Sequence, residues 1–352
     1  MATTEERLAA LEAKLAALTA TTPTEYYTHQ YSGEEIDDAV SRALPNGAID
    51  QAVGTFTRPN LLDNWYFGRP VNQRGQTEYT GNMAFIIDRW RMRGTTATVT
   101  LEDDGLVINC DGGSFNSIVQ SYGVPAQLLG KKVTLSVLVT ENTNNTESFI
   151  EIGSGSNSAA AGTVLGGNLK FTGTGLFSLT MDLPATMPNN YLNFIICAGN
   201  PTTAGARFKA VAAKLELGST QTLAHREGDK WVLNEVPDYG EQLRRCLRHD
   251  YIIGSNTDAC PICTGTAYSS DSVIAVVDLP EVMRSNPAVV ISGGIQIRFS
   301  ATQNFTVSTV ANYGFSGDKM QLYFSGLSGL TPGQSCDLYT QSGSKIEFNA
   351  NL

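Results

Sequence analysis

The sharpest spacing of reactive side chains in this 352-residue sequence is Cys246-x2-His249-x10-Cys260-x2-Cys263. Cysteine pairs and a cysteine–histidine pair at such spacings are donor sets for a tetrahedral zinc ion. Against a metal stands the short helix that carries Cys246. The thiol falls on the apolar face of that helix, where it packs as a small hydrophobe. The helix must also end before His249 can turn toward the other three. No cofactor is expected.

Other chemistry finds less. The three histidines, His29, His225 and His249, all lie outside residues 30–224. That stretch therefore holds no Ser-His-Asp or Cys-His unit of its own. No GxSxG, P-loop, GxGxxG, HExxH or EF-hand pattern occurs. The densest carboxylate group is Glu102-Asp103-Asp104. A glycosidase needs two carboxylates about 5–10 Å apart across a cleft, whereas Asp-Asp-Gly after a strand is more simply a hairpin turn. No catalytic residue is assigned, and the chain reads as a non-enzyme.

The charge balance narrows the partners. With 24 basic against 34 acidic residues the formal net charge is −10, the wrong sign for a binder of nucleic-acid phosphates. Arg89, Arg91 and Arg93 are the one basic cluster of their region. Alternation puts them on one strand face, with Trp90 and Met92 opposite, as a solvated or interface face. No run of about 20 apolar residues suggests a membrane span. The acidic, heptad-patterned N-terminus is not a signal peptide, so synthesis and folding in the cytoplasm are expected. Disulfides among the six cysteines are then not expected.

The elements that position these groups are mostly strands. Charged residues are only 16% of the chain and glycine is abundant, at 34 residues, which suits a β-protein surfaced with hydroxyls and amides. Residues 1–20 are the exception. Leu8, Leu11, Leu15 and Leu18 are spaced 3, 4, 3 and form the a/d seam of a coiled-coil helix. A lone helix of about 20 Å is marginal in water, so the seam calls for self-association. Leucine at both positions leaves dimer and trimer open. Residues 21–59 form a linker with a short helix, IDDAVSRAL, entered through a Ser32–Glu35 capping box.

Residues 60–218 form a first β-domain of short apolar or alternating runs between Gly, Asn and Asp. Among them are ATVTLEDDGLVINC, KKVTLSVLVTEN, NYLNFIICAG and ARFKAVAAKLELG. Trp65 and Trp90 lie within apolar runs, which places them in the core. Residues 219–250 bridge to the next domain, with a helix capped by Asp238 and Glu241. Residues 251–352 hold about seven strand candidates, from SVIAVVDL to KIEFNANL, enough for a small sandwich. The fold class is therefore mainly β, a short N-terminal coiled-coil helix followed by two β-sandwich, jelly-roll-like domains.

Several segments carry a resemblance. NLLDNWYF and FKAVAAKLELGS look like the opening and closing strands of carbohydrate-binding-module-like jelly rolls, which lie side by side. NLLDNWYFGRPVNQRG with IDRW, KLELGSTQTLAHREGDKWVLNEVPDYGEQLRRC, and LPEVMRSNPAVVI together resemble phage and prophage fibre proteins. With YSGEEIDDAVSRAL, which looks like a short element found in front of such domains, and the terminal IEFNANL, the resemblance spans Tyr31 to Leu352. It implies a homotrimeric virion appendage, held to capsid or tail by its N-terminus and presenting its sandwiches to host-surface or mucosal glycans. It also implies a sugar-stacking role for Trp65, Tyr66 and Trp90. By fold analogy, with no motif behind it, a structural calcium could sit near Asp63 or Glu216. Other readings are a capsid fibre or decoration protein without a specific ligand and, less favoured, a glycan depolymerase.

Overall fold

The computed structural model describes residues 57–94, 97–123, 126–155, 162–187, 189 and 191–351. The heptad leucines Leu8, Leu11, Leu15 and Leu18 and the short helix after Ser32 lie outside the described residues.

The first domain contains β1 (Glu78–Thr80), β2 (Arg91–Arg93), β3 (Thr98–Glu102), β4 (Gly105–Asn109), β5 (Asn116–Gly123), β6 (Lys132–Asn142), β7 (Ser148–Gly155), β8 (Gly162–Phe171), β9 (Gly175–Asp182), β10 (Tyr191–Gly199) and β11 (Arg207–Leu217). They form two antiparallel sheets, β1-β3-β4-β11-β6-β9 and β2-β5-β10-β7-β8. Alternation explains the sandwich. Ile150 and Ile152 of β7, Phe194 and Ile196 of β10, and Phe208 and Ala210 of β11 point inward into one core.

Local chemistry closes the hairpins. Asp103 and Asp104 form the turn between β3 and β4, where Glu102 pairs with Gly105. A Cβ on Gly105 would meet the Ala210 carbonyl oxygen at 2.7 Å, so only glycine fits there. The acidic turn is balanced by Lys209, 2.8 Å from Asp104, and by Arg207, 2.7 Å from Glu102. The opening segment runs beside the last strand. Leu61 N donates to Leu215 O at 2.8 Å, Ala213 N to Trp65 O at 3.0 Å and Phe67 N to Val211 O at 2.8 Å.

The bridge is built of defined elements. It contains a hairpin of β12 (Ala224–Glu227) and β13 (Lys230–Leu233), then helix α1 (Tyr239–Leu247). Asp238 caps α1 by accepting from Glu241 N at 2.8 Å. The buried face of α1 carries Gln242 and Cys246. Gln242 Oε1 accepts from Asn64 N at 2.7 Å, tying the helix to the first domain.

The second domain contains β14 (Asp250–Gly254), β15 (Pro261–Ala267), β16 (Ser272–Asp278), β17 (Ala288–Ser292), β18 (Ile295–Arg298), β19 (Asn304–Val307), β20 (Ala311–Phe315), β21 (Lys319–Ser325), β22 (Ser335–Thr340) and β23 (Lys345–Asn349). A three-stranded sheet, β14-β23-β17, faces a seven-stranded one, β19-β18-β22-β15-β16-β21-β20. Ile346 and Phe348 of the small sheet share a core with Ile297, Leu322, Phe324 and Leu338 of the large one. Thr57–Leu352 form one compact unit, so the two sandwiches are packed together.

Their junction is polar and buried. Arg74 reaches Asp88 (3.4 Å), Asp250 (2.6 Å) and Glu347 (3.0 Å). Arg89 binds Asp63 at 3.1 Å and Asn351 at 2.6 Å, and Arg245 binds Asp63 at 2.7 Å. This corrects the expected face of three arginines. Arg89 has φ of 71°, which turns it off the β2 alternation, and it is buried. Only Arg91 and Arg93 share the strand face, with Met92 buried opposite.

Candidate functional site

The outer face of the five-stranded sheet carries a groove of about 620 Å³. Register sets its rows. Arg91, Val119, Ile195, Glu151 and Asn168 lie in line across β2, β5, β10, β7 and β8, and Arg93, Ser117, Cys197, Phe149 and Lys170 form the next line. A third line runs through Ser121, Asn193, Gly153 and Val164. The middle of this face is apolar. Val119, Phe149, Ile195 and Cys197 form a small cluster of their own, separate from the sandwich core. Polar ends surround it, with Arg91 and Arg93 on one side and Glu151, Asn168 and Lys170 on the other.

Two residues beside the apolar cluster, of which Phe115 also lines the groove, are held in unusual backbone conformations. Met83 has φ of 64° and Phe115 has φ of 56°, and both pack on the apolar cluster. Bulky side chains rarely adopt positive φ, and such strain gathers at functional positions. The Arg93 guanidinium lies 4.2 Å from the Phe115 ring centroid, so ring and cation form one wall.

The floor offers an unused acceptor. Asn193 is only 2% exposed and lines the groove, and its Oδ1 has no hydrogen-bond partner in the protein. An orphan acceptor of this kind costs about 1–3 kcal/mol unless something donates to it. Burial raises the Glu151 carboxyl above its ordinary range, opposed by a hydrogen bond from Asn168 and by Arg93. Lys170 and Glu147 neutralise each other at 2.8 Å. The groove thus combines an apolar strip, amides and balanced charge, suited to a neutral ligand rich in hydroxyls.

The aromatic candidates lie elsewhere. Trp65 is 3% and Trp90 0% exposed, both in the sandwich core, and neither presents a ring face to solvent. Trp90 donates its Nε1 proton to Asn64 O at 2.9 Å and meets Phe67 edge-on at 5.2 Å. Tyr66 is half-buried and lines a separate pocket of about 250 Å³ with Arg69 and Tyr239.

Cys246, His249, Cys260 and Cys263 are not gathered into a metal site. Among the described residues no group of three or more His, Cys, Asp or Glu is placed to hold an ion. Cys246 is buried on α1, its thiol pushed well up by burial and then by Asp88 and Asp63. His249 lies 3.7 Å from Asp63, and burial together with Arg89, Arg284, Arg248 and Arg245 lowers its pKa to about 2. Cys263 sits in β15, and burial raises its thiol to about 12. The two carboxylates considered for calcium hold protein donors. Asp63 binds Arg89 and Arg245. Glu216 accepts from Thr222 N at 2.7 Å and Thr222 Oγ1 at 2.6 Å.

Asn193, Glu151, Asn168 and Phe115 escaped the sequence reading. One signal existed: NYLNFIICAG is apolar at both alternating positions, so neither face of that strand is simply solvated. Asn193 is the polar break in that run. Nothing local distinguishes Phe115.

Comparisons with known proteins add little. No family model matches the chain, and no curated protein matches it. Similar solved structures include a CBM4 carbohydrate-binding module, at 15% identity and a TM-score of 0.31, covering 44% of this chain and 99% of that one. Another is the C-terminal family 22 carbohydrate-binding module of a Clostridium thermocellum protein, at 13% identity, a TM-score of 0.29 and coverage of 45% and 97%. A tandem of two CBM22 modules from Paenibacillus barcinonensis aligns over 83% of this chain and 97% of its own length, at 11% identity and a TM-score of 0.29. Identities and scores this low assign neither family nor function.

Proposed function

We propose that this chain is a non-catalytic glycan-binding protein whose ligand lies in the groove across β2, β5, β10, β7 and β8. The carrying observation is Asn193, a buried amide on the groove floor with an unused acceptor. A sugar hydroxyl is the matching donor. The apolar strip of Phe149 and Ile195 takes the C–H face of the ring, and the Arg93–Phe115 wall orients it. The wider setting is a phage virion fibre, a homotrimer held by its N-terminal heptads to capsid or tail and displaying its sandwiches toward host-surface or mucosal glycans. That setting rests on the resemblance of the Asn60–Gly75, Lys214–Cys246 and Leu279–Ile291 segments to fibre proteins. A capsid decoration protein without a ligand is the alternative.

One observation favours a second reading, a depolymerase. Glu147 and Glu151 both line the groove, and burial raises the Glu151 carboxyl, as a general acid requires. Glu147, however, is exposed and tied to Lys170.

The test is gel electrophoresis of the full-length protein through hydroxyethylcellulose, arabinoxylan or galactomannan, with reducing ends assayed alongside. Retardation without new reducing ends is expected. Asn193→Ala should weaken it roughly tenfold, the effect of one lost hydrogen bond in a dry site. Equal retardation of wild type and Asn193→Ala in every gel removes the groove from the reading, and new reducing ends favour cleavage.

A further inference from the structure

The outer face of the seven-stranded sheet carries aromatic rings that lie outside the core. Tyr268 follows β15 and is 57% exposed, and Tyr313 in β20 is 56% exposed. Both meet Tyr323 of β21. The Tyr313 ring stacks on it at 5.4 Å and 24°, and the Tyr268 ring stands edge-on to it at 6.5 Å and 78°. The second core contains none of the three. They cluster on the outside.

Backbone irregularity builds the cluster. The β20–β21 register shifts between Asn312 and Gly314, which leaves Tyr313 as the extra residue of a bulge. Bulges re-aim a side chain and are common beside binding sites. Here the bulge belongs to the strand that brings Tyr313 over Tyr323. A groove of about 560 Å³ on the same sheet is lined by Thr266, Ile274, Val276, Arg298 and Asp337. Register joins it to the rings, because Thr266 pairs with Ile274 and Ile274 pairs with Tyr323.

The charge of this face selects the occupant. Arg298 and Asp337 are register partners of opposite charge, and the remaining polar groups at the groove include the hydroxyls of Thr264, Thr266 and Ser335. A polyanion finds no basic stripe to hold it. Flat rings beside hydroxyls and balanced charge match a neutral pyranose, which offers a C–H face to the ring and hydroxyls to the edge.

We infer that the outer face of the seven-stranded sheet is a second glycan-binding surface, where Tyr313, Tyr323 and Tyr268 stack a neutral sugar and the Thr266–Asp337 groove takes the sugar that follows. The inference is independent of the groove in the first sandwich. Two sites in one compact unit would raise the avidity of the chain for a long polysaccharide.

The test uses full-length wild type, Tyr268→Ala/Tyr313→Ala and Asn193→Ala in the same three polysaccharide gels, with hydrogen–deuterium exchange in the presence of the retarding polysaccharide. Both tyrosines are more than half exposed, so their removal should spare the fold. The expected result is a roughly tenfold weaker retardation of the tyrosine variant in at least one gel, with ligand protection across residues 311–325 that persists in Asn193→Ala. Three results overturn the inference: retardation equal to wild type in all gels, no gel that retards wild type, or protection confined to residues 148–155 and 191–199. If wild type self-associates by light scattering and the tyrosine variant does not, the face is a contact between copies of this chain and the inference also falls. Failure of the first-sandwich reading is separate, since it appears as an Asn193→Ala protein that binds like wild type.

Discussion

Arg74 and Asp250 meet 2.6 Å apart across the junction of the two sandwiches, although 176 residues separate them in sequence. The Asp250 side chain is fully buried and that of Arg74 is 13% exposed. Burial works against the Arg74 charge, yet Asp250, Glu347 and Asp88 together raise its pKa. The same burial pushes the Asp88 carboxyl up to about 6 and that of Asp250 well above its ordinary value, both opposed by Arg74. Gln73 completes the latch by donating to Asp88 at 2.8 Å and to the Asp250 carbonyl at 2.9 Å.

Removing the guanidinium leaves two buried carboxyl groups without their cation. Arg74→Met should cost about 3–5 kcal/mol in urea unfolding. Arg74→Met with Asp250→Leu should recover part of that loss, because the unpaired acid goes with its partner. A double variant no better than the single one would show that Arg74 acts through packing alone.

His249 makes the junction acid-sensitive. Its folded pKa of about 2 lies below the unfolded 6.5, so between those values the unfolded chain binds a proton that the folded one refuses. Stability from this group is complete above pH 6.5 and is lost as pH falls toward 2. The side chain faces Asp63 and Arg89, Arg245, Arg248 and Arg284, and its Nδ1 has no partner. Asp88 and Asp250 have the opposite slope, since their raised values favour the folded state at low pH. The comparison of wild type with His249→Gln isolates the histidine. Between pH 6.5 and 4.5 the variant should lose less stability than wild type, by at most about 1.4 kcal/mol per pH unit. Parallel curves would place the acid sensitivity elsewhere.

Trp90 separates core aromatics from ligand aromatics. Trp90→Phe removes the hydrogen bond to Asn64 O and leaves space beside Phe67. It should destabilise the chain by about 2 kcal/mol. Polysaccharide retardation at 25 °C should stay at the wild-type value, because the ring lies on the inner side of the sheet. A binding loss larger than the loss of folded protein would return Trp90 to the ligand.

Much of the framework was legible because it is local. Alternation alone marks Val133 to Val139 and Phe208 to Ala212, and Asp103-Asp104-Gly105 announces its own turn. Strands β5 and β8 were harder. NSIVQSYG and GTVLGGNLKF mix strand formers with Asn, Ser, Gln and Gly and show no clean alternation, and their neighbours supply the hydrogen-bonding edges they pair with. The Arg89, Arg91, Arg93 pattern went wrong at one residue, where a left-handed φ turned Arg89 into the junction.

By itself, then, the sequence determined which segments can be strands and where they turn, since periodicity and turn chemistry act over a few residues. Only the tertiary structure decided which outward faces stay open. It put Asn193 under a groove, gathered Tyr268, Tyr313 and Tyr323, and brought Asp250 to Arg74. Each of these outcomes depends on sheet order and register between distant strands, and on the cost of burying a polar group with or without a partner, neither of which is expressed in the spacing of neighbouring residues.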